Sequence, residues 1–357
     1  FGHNSLLSTT TGDRNVGVGA FTLYTNTTGL LNTAIGYYTM VANTTGGYNT
    51  AIGSYALDSN TTASYNTALG YQALGTNSTG SSNVAVGYNS AVLNTTGGQN
   101  CSVGYQSLYS NTTASNNTAV GTNALFANTT GEYNVAVGAF ALDAVTTATS
   151  SVAIGTSALT VSTASNNTAV GHQSLAADTS GSGNTAVGIN SAAGVTTGGD
   201  NVCIGNNAGS NITTGNNQVC IGFGSTAPSA TSSDDVTLGN SSIGTLRCNV
   251  QTISSLSDGR DKTNVIDLPE GLDFINELRP VKFKWDTRDG NGKDGSYEHG
   301  FIAQDLQTIQ DEKNADYLNM VMDENPDRLE ASYGKLVPIL TKAIQELSAK
   351  ITALEAK

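Results

Sequence analysis

Ser257 and Lys262 stand five residues apart in the segment Ser257-Asp258-Gly259-Arg260-Asp261-Lys262 and offer a hydroxyl and an amine. A serine hydroxyl is a weak nucleophile until a base takes its proton. Lysine can be that base only when neutral, a form that burial or a neighbouring cation favours. Arg260 can supply such a cation, or it can fix the Asp258 carboxylate instead; the residues leave both roles open. The Leu256–Ser257 peptide bond directly precedes the hydroxyl. As a substrate it would already be tethered, which avoids most of the entropy cost of bringing reactants together. The plainer alternative is a helix turn capped by Ser257 with Lys262 solvated, and the hexapeptide alone favours it. His299 is the only histidine beyond residue 240, so no Ser/His/Asp triad competes.

Two compositions meet near this segment. Only 12% of the 357 residues are charged. Residues 1–233 hold one basic residue, Arg14, and six acids, whereas fourteen basic residues lie at or after Arg247 and twenty acids follow Ser257. The net charge of −13 therefore describes two objects. Neither has the basic stripe that nucleic-acid binding requires. No apolar run approaches the ~20 residues that span a bilayer, and no secretion signal is present. Phe1-Gly2-His3 fits mid-repeat, which leads us to expect the C-terminal piece of a longer protein whose N-terminal anchoring region is missing.

From Gly2 to Gly239 a glycine recurs every seventeen residues, with one interval of sixteen between Gly155 and Gly171. Examples are Asn32-Thr-Ala-Ile-Gly36, Asn83-Val-Ala-Val-Gly87 and Asn201-Val-Cys-Ile-Gly205. Fifteen such glycines define an array. The alternating residues before each glycine predict a short strand, and pairs such as Ala73-Leu74 predict a second. Turns such as Asn43-Thr-Thr-Gly-Gly47 follow, where glycine and asparagine tolerate left-handed backbone. Seventeen residues are too few for a pair of helices and suit one coil of a β-solenoid or β-roll. Stacked coils share a core that no single coil could make. At the strand spacing of ~4.8 Å the array would extend on the order of 70 Å. The asparagine four before the glycine recurs from Asn15 to Asn201 and should stack into an axial ladder of side-chain amides.

Several features of the array have plain explanations. The Asn-x-Thr triplets at Asn26, Asn43, Asn60, Asn94, Asn111 and Asn128 match a glycosylation sequon, but they recur because the turn recurs. Thr alternates with Val in the strand, which suits packing better than ice matching. Regular aspartates for calcium and a close carboxylate pair for glycosidase chemistry are both lacking. The four cysteines have no metal-ligand spacing, and no cofactor or metal is expected. Cys203 and Cys220 occupy one repeat position, usually alanine. They are either small buried thiols or, stacked on adjacent coils, a pair near bonding distance.

Beyond Ser257 the pattern becomes α+β. Pro269–Arg279 predicts a helix, Val281–Asp286 a strand, Asp289–Gly292 a turn, and Gly300–Asp305 a strand leading into a helix near Leu306. From Ser332 a long helix carries Val337, Leu340, Ile344, Leu347, Ile351 and Leu354 at alternating spacings of three and four, a heptad seam. β-Branched residues at a with leucine at d favour dimers in parallel model coils. A helix packed on its own domain is the plainer reading of this seam.

The repeat core resembles the head repeats of trimeric autotransporter adhesins, which implies three parallel β-rolls around a common axis. The end region resembles the C-terminal intramolecular chaperone domain of phage tailspikes and tail fibres, of the endosialidase type. Ser257-Asp258-x-Arg260-x-Lys262, Leu278-Arg-Pro-Val-Lys-Phe283, Gly300-Phe-Ile-Ala-Gln304, Tyr333-Gly-Lys-Leu-Val-Pro338 and Ala343-Ile-Gln-Glu-Leu347 carry that resemblance in order. Asp261 and Asp305 depart from it, standing where leucine and glutamate are usual. The resemblance implies that three copies assemble, that the fibre folds, and that the domain then cuts itself off between Leu256 and Ser257. Ser257 and Lys262 would be catalytic, supported by Asp258 and Arg260.

These readings combine into a mainly β chain: a homotrimeric parallel β-roll over 1–240, a neck over 241–256, and a small chaperone domain over 257–357 ending in a coiled-coil helix at 332–357. The expected role is a virion tail fibre segment for host attachment. It would bind a cell-surface glycan or protein, without nucleic acid or membrane insertion, and act once, in cis, as a serine endopeptidase. The alternatives are a bacterial surface adhesin, a peptidase acting on other proteins, or a fibre whose end domain is a permanent trimerisation cap.

Overall fold

The computed structural model describes residues 1–243, 245–247, 257–286, 295, 297–323 and 329–357. Leu256, Cys248, the expected turn at Asp289–Gly292 and nearly all of the expected neck after residue 247 lie outside these residues. The chain divides into two compact units, Phe1–Asn240 and Ser241–Lys357. Among the described residues, no helix is long and apolar enough to cross a membrane.

The first unit is a parallel β-solenoid. Fourteen strands of three residues, β1 (Val16–Val18) to β14 (Val236–Leu238), pair in sequence order in one sheet. The register matches repeat to repeat, with Thr33, Ala34 and Ile35 opposite Thr50, Ala51 and Ile52. The central residue of nearly every strand points inward and is buried, and its two neighbours point out. Small residues suit the inner position because the coil is narrow. Ala34, Ala51, Ala68 and Ala85 are fully buried, while Ile35, Ile52 and Leu69 lie on the outer face at 36–44% exposure.

The second apolar segment of each coil is not the strand expected from sequence. It is a turn whose leucine takes left-handed backbone, as in Leu57 (φ 50°), Leu74 (φ 52°) and Leu125 (φ 52°). That conformation costs an L-residue roughly 1–2 kcal/mol. Full burial of the leucine, at about 1.5–3 kcal/mol per large apolar side chain, offsets it. The recurring glycine meets a stricter demand. Gly121 has φ 136°, and a Cβ there would lie 2.5 Å from the carbonyl oxygen of Gly138 in the next coil.

Asparagines fill the interior in two columns. In the column before the strand, the side-chain oxygen accepts from the main-chain N–H of the next coil's asparagine, as Asn32 Oδ1 does from Asn49 at 3.0 Å. Its Nδ2 donates to a turn carbonyl, Gly46 O, at 2.8 Å. Direct amide-to-amide steps in this column occur at Asn49–Asn32 and Asn201–Asn184. The continuous side-chain ladder is in the turn asparagines instead. Asn43 Nδ2 donates to Asn26 Oδ1 at 2.7 Å, Asn94 to Asn77 at 2.7 Å, and Asn111 to Asn94 at 2.6 Å. These sequon asparagines are buried with their amides engaged, so they are turn residues and not glycan acceptors. The ladder stops where Val145 takes the position, leaving Asn128 Oδ1 buried without a partner. Further on, Ser162 donates to Asp178 at 2.7 Å, and burial pushes the Asp178 carboxyl up.

The second unit is a small α+β assembly of α1 (Leu272–Glu277), β15 (Val281–Lys284), β16 (Tyr297–Gly300), α2 (Ala303–Lys313), β17 (Val321–Met322), β18 (Glu330–Ala331) and α3 (Leu336–Glu355). Helix α1 is shorter than predicted. The second strand ends at Gly300, whereas the sequence placed its start there, and a 3-10 turn over Tyr333–Lys335 precedes α3. Phe274, Leu306, Met320, Leu336 and Ile339 form the core.

Candidate functional site

The segment carrying Ser257 and Lys262 folds back on itself through a 3-10 turn at Gly259–Asp261. Asp258, not Ser257, caps this turn, accepting from the Arg260 N–H at 2.9 Å. The turn reverses the chain so that Lys262 Nζ donates to Ser257 Oγ at 2.6 Å and reaches Ser257 O at 3.4 Å. The five-residue spacing thus brings the hydroxyl and the amine into proton-transfer distance.

Arg260 takes the second of the two roles open to it. Its guanidinium grips Asp258, Nη2 to Oδ2 at 2.5 Å and Nε to both oxygens at 3.1 Å. This contact, with the Arg260 N–H, holds the Asp258 carboxyl below the usual carboxylate range and raises the guanidinium in turn. The pair therefore closes over the turn that Asp258 caps. Ser257, Asp258, Arg260 and Lys262 are all exposed, so the described residues do not enclose the pair in the low-dielectric surroundings that favour a neutral amine. Asp261 is exposed in the same turn.

The remaining motifs brace the domain. Arg279 donates to Asp305 at 2.8 Å, so the shorter carboxylate at 305 still reaches its guanidinium. Gly300 leaves room for the Tyr333 hydroxyl, which a Cβ would meet at 2.5 Å, and that hydroxyl accepts from the Phe301 N–H at 3.2 Å. Glu346 of α3 accepts from the Leu272 N–H at 2.9 Å and so caps α1. Gly271 makes this possible, because a Cβ there would strike the carboxylate. These tertiary partners were not foreseen from sequence.

Helix α3 has two apolar faces. Leu336, Ile339 and Ala343 are buried against the domain, whereas Val337, Leu340, Ile344, Leu347, Ile351 and Leu354 are exposed. Among the described residues the heptad seam is thus exposed, and a different stripe does the intramolecular packing.

Residues 257–314 match the family model of the chaperone of endosialidase, a match that opens on Ser257 and runs through α2. No curated protein and no solved structure matches the chain. In the sequence the matched segment follows the parallel β-solenoid, an order consistent with a tail-fibre or tailspike-like repeat region.

Proposed function

We propose that this chain is a virion tail fibre segment whose end domain brings three copies together and then releases itself by cutting the Leu256–Ser257 bond. The observation that carries the reading is the 2.6 Å contact between Lys262 Nζ and Ser257 Oγ at the start of the family match. Two further observations support assembly. The seam of α3 is exposed along its length, and the outer face of the solenoid sheet carries an aliphatic residue in every coil, flanked by Tyr37, Tyr48, Tyr65, Tyr71 and Tyr88. Single chains rarely leave apolar faces of this extent in water.

Assembly would bury the Ser257 segment against a neighbouring copy and favour the neutral amine. Lys262 then takes the hydroxyl proton while Ser257 Oγ attacks the Leu256 carbonyl carbon. The C–N bond breaks, the Ser257 nitrogen takes a proton from the Lys262 ammonium, and an ester links Leu256 to the serine oxygen. Water hydrolyses the ester, leaving a carboxylate on Leu256 and a free amine on Ser257. Waiting for assembly makes the cut a report on correct folding. The freed solenoid would then serve host attachment, directly or by presenting a receptor-binding surface.

The exposure of the dyad in one chain also supports a second reading, a domain that stays on as a trimerisation cap. Intact mass of freshly purified chain, beside Ser257→Ala and Lys262→Ala, separates the two. Wild type that splits at Leu256–Ser257 while both variants stay whole supports self-processing. Three uncut chains in a verified trimer leave only the cap.

A further inference from the structure

The alanine column inside the solenoid is interrupted at two successive coils. Cys203 in β12 (Val202–Ile204) and Cys220 in β13 (Val219–Ile221) are direct partners in the parallel register, and both are wholly buried. Adjacent strands lie about 4.8 Å apart, inside the roughly 4.4–6.8 Å between Cα atoms that a disulfide spans. The side-chain interaction between the two thiols pushes the Cys203 thiol up and the Cys220 thiol down. The interior has made room for sulfur. Where other coils place Leu57, Leu108 or Leu142, this coil has Gly209, and a Cβ there would lie 2.3 Å from Cys203 Sγ. Packing alone does not call for two cysteines in a row, since Ala186 fills the same position one coil earlier. Only β14 follows, and its central Thr237 is only half-buried. Terminal coils of an array open most easily, and such local opening gives an oxidant a way in.

We propose that Cys203 and Cys220 are a redox-responsive pair that closes into a disulfide staple between the last two full coils of the solenoid. The Cys220 thiolate attacks one sulfur of an external disulfide such as glutathione disulfide, and one glutathione leaves as thiolate. Cys203, deprotonated in turn, attacks the Cys220 sulfur of the mixed disulfide and expels the second glutathione. One S–S bond forms and one breaks. Two electrons pass to glutathione disulfide, and the two thiol protons end on the released glutathiones. In a reducing compartment the chain folds without the cross-link, and in an oxidising one the last coils of the array are locked together.

The test uses the full chain with Cys101→Thr and Cys248→Ser, folded under reducing conditions and then equilibrated with glutathione disulfide. Non-reducing peptide mapping should join the peptides of Cys203 and Cys220 with the loss of two hydrogens, reversed by dithiothreitol. Amide exchange across residues 219–238 should slow about tenfold or more in the oxidised form. Two thiols that stay free under oxidant, or that each carry a separate glutathione, would overturn the proposal.

Discussion

Asn94, inside the solenoid, donates to Asn77 and to Gly97 O and accepts from Asn111, whereas Ser257 and Lys262, in the end unit, meet each other at the surface. Both units expose apolar residues, but they differ in how they satisfy the rest. The solenoid buries its turn leucines, keeps an aliphatic residue of each strand on its outer face, and bonds its polar groups to the coils above and below. The end unit keeps a small core and leaves a six-residue apolar seam on α3 exposed. Repetition satisfies groups along the axis and leaves little uncommitted chemistry. The end unit holds its uncommitted groups at the surface, where the proposed assembly would complete them.

Five variants can break or sharpen this contrast. The largest effect is expected in the end unit, from Ile344→Asp with Leu347→Asp. Light scattering should show loss of the assembled species, while solenoid melting stays put, because both positions are exposed in the single chain. Unchanged mass would detach the seam from assembly. Next is Gly121→Ala in the solenoid, where a Cβ strikes the Gly138 carbonyl at 2.5 Å on a backbone only glycine favours. A loss of about 3 kcal/mol or more is expected in denaturant unfolding. Gly259→Ala in the end unit is the matched control, with nothing within 4 Å, and should be nearly silent. Asn94→Ala should then cost about 2–3 kcal/mol, because it orphans the buried Asn77 oxygen.

The smallest effect is one of pH. Burial pushes the Asp58 carboxyl from 3.8 up to about 6. The folded state therefore holds this proton more tightly than the unfolded one, so its contribution to stability is greatest below about pH 4 and falls as pH rises to about 6. Asp58 is part-exposed, so solvent screening limits the change to about 1 kcal/mol. Asp58→Asn should flatten that slope in melts between pH 4 and 7; an unchanged slope would place its origin elsewhere, with Asp143 and Asp178 the other raised carboxyls.

The seventeen-residue period, the coil architecture and the change of character near Ser257 were legible in the sequence because glycine spacing and charge distribution are one-dimensional signals. Strand facing was not. Alternation in Thr33-Ala34-Ile35 defines two faces without saying which is inside, and the usual preference for burying isoleucine fails in a coil too narrow for it. The second strand was misread because Leu74 and Leu125 carry a left-handed backbone that leucine seldom adopts, held there by stacking. The turn asparagines resembled sequons because their triplet says nothing of burial. At the site, the spacing of Ser257 and Lys262 was visible, but their contact depends on the cap at Asp258 and its grip by Arg260, a geometry that the residue types left open.

The central claim is that assembly completes the Ser257–Lys262 site. It is tested most directly by following cleavage in refolding chain across a dilution series, with oligomer mass and fragment mass read from the same samples. The account predicts a fragment ending at Leu256 that appears only where the trimer forms, and none from the Ile344→Asp, Leu347→Asp chain. Cleavage at full rate in the monomer, or a verified trimer that never cuts, would contradict it.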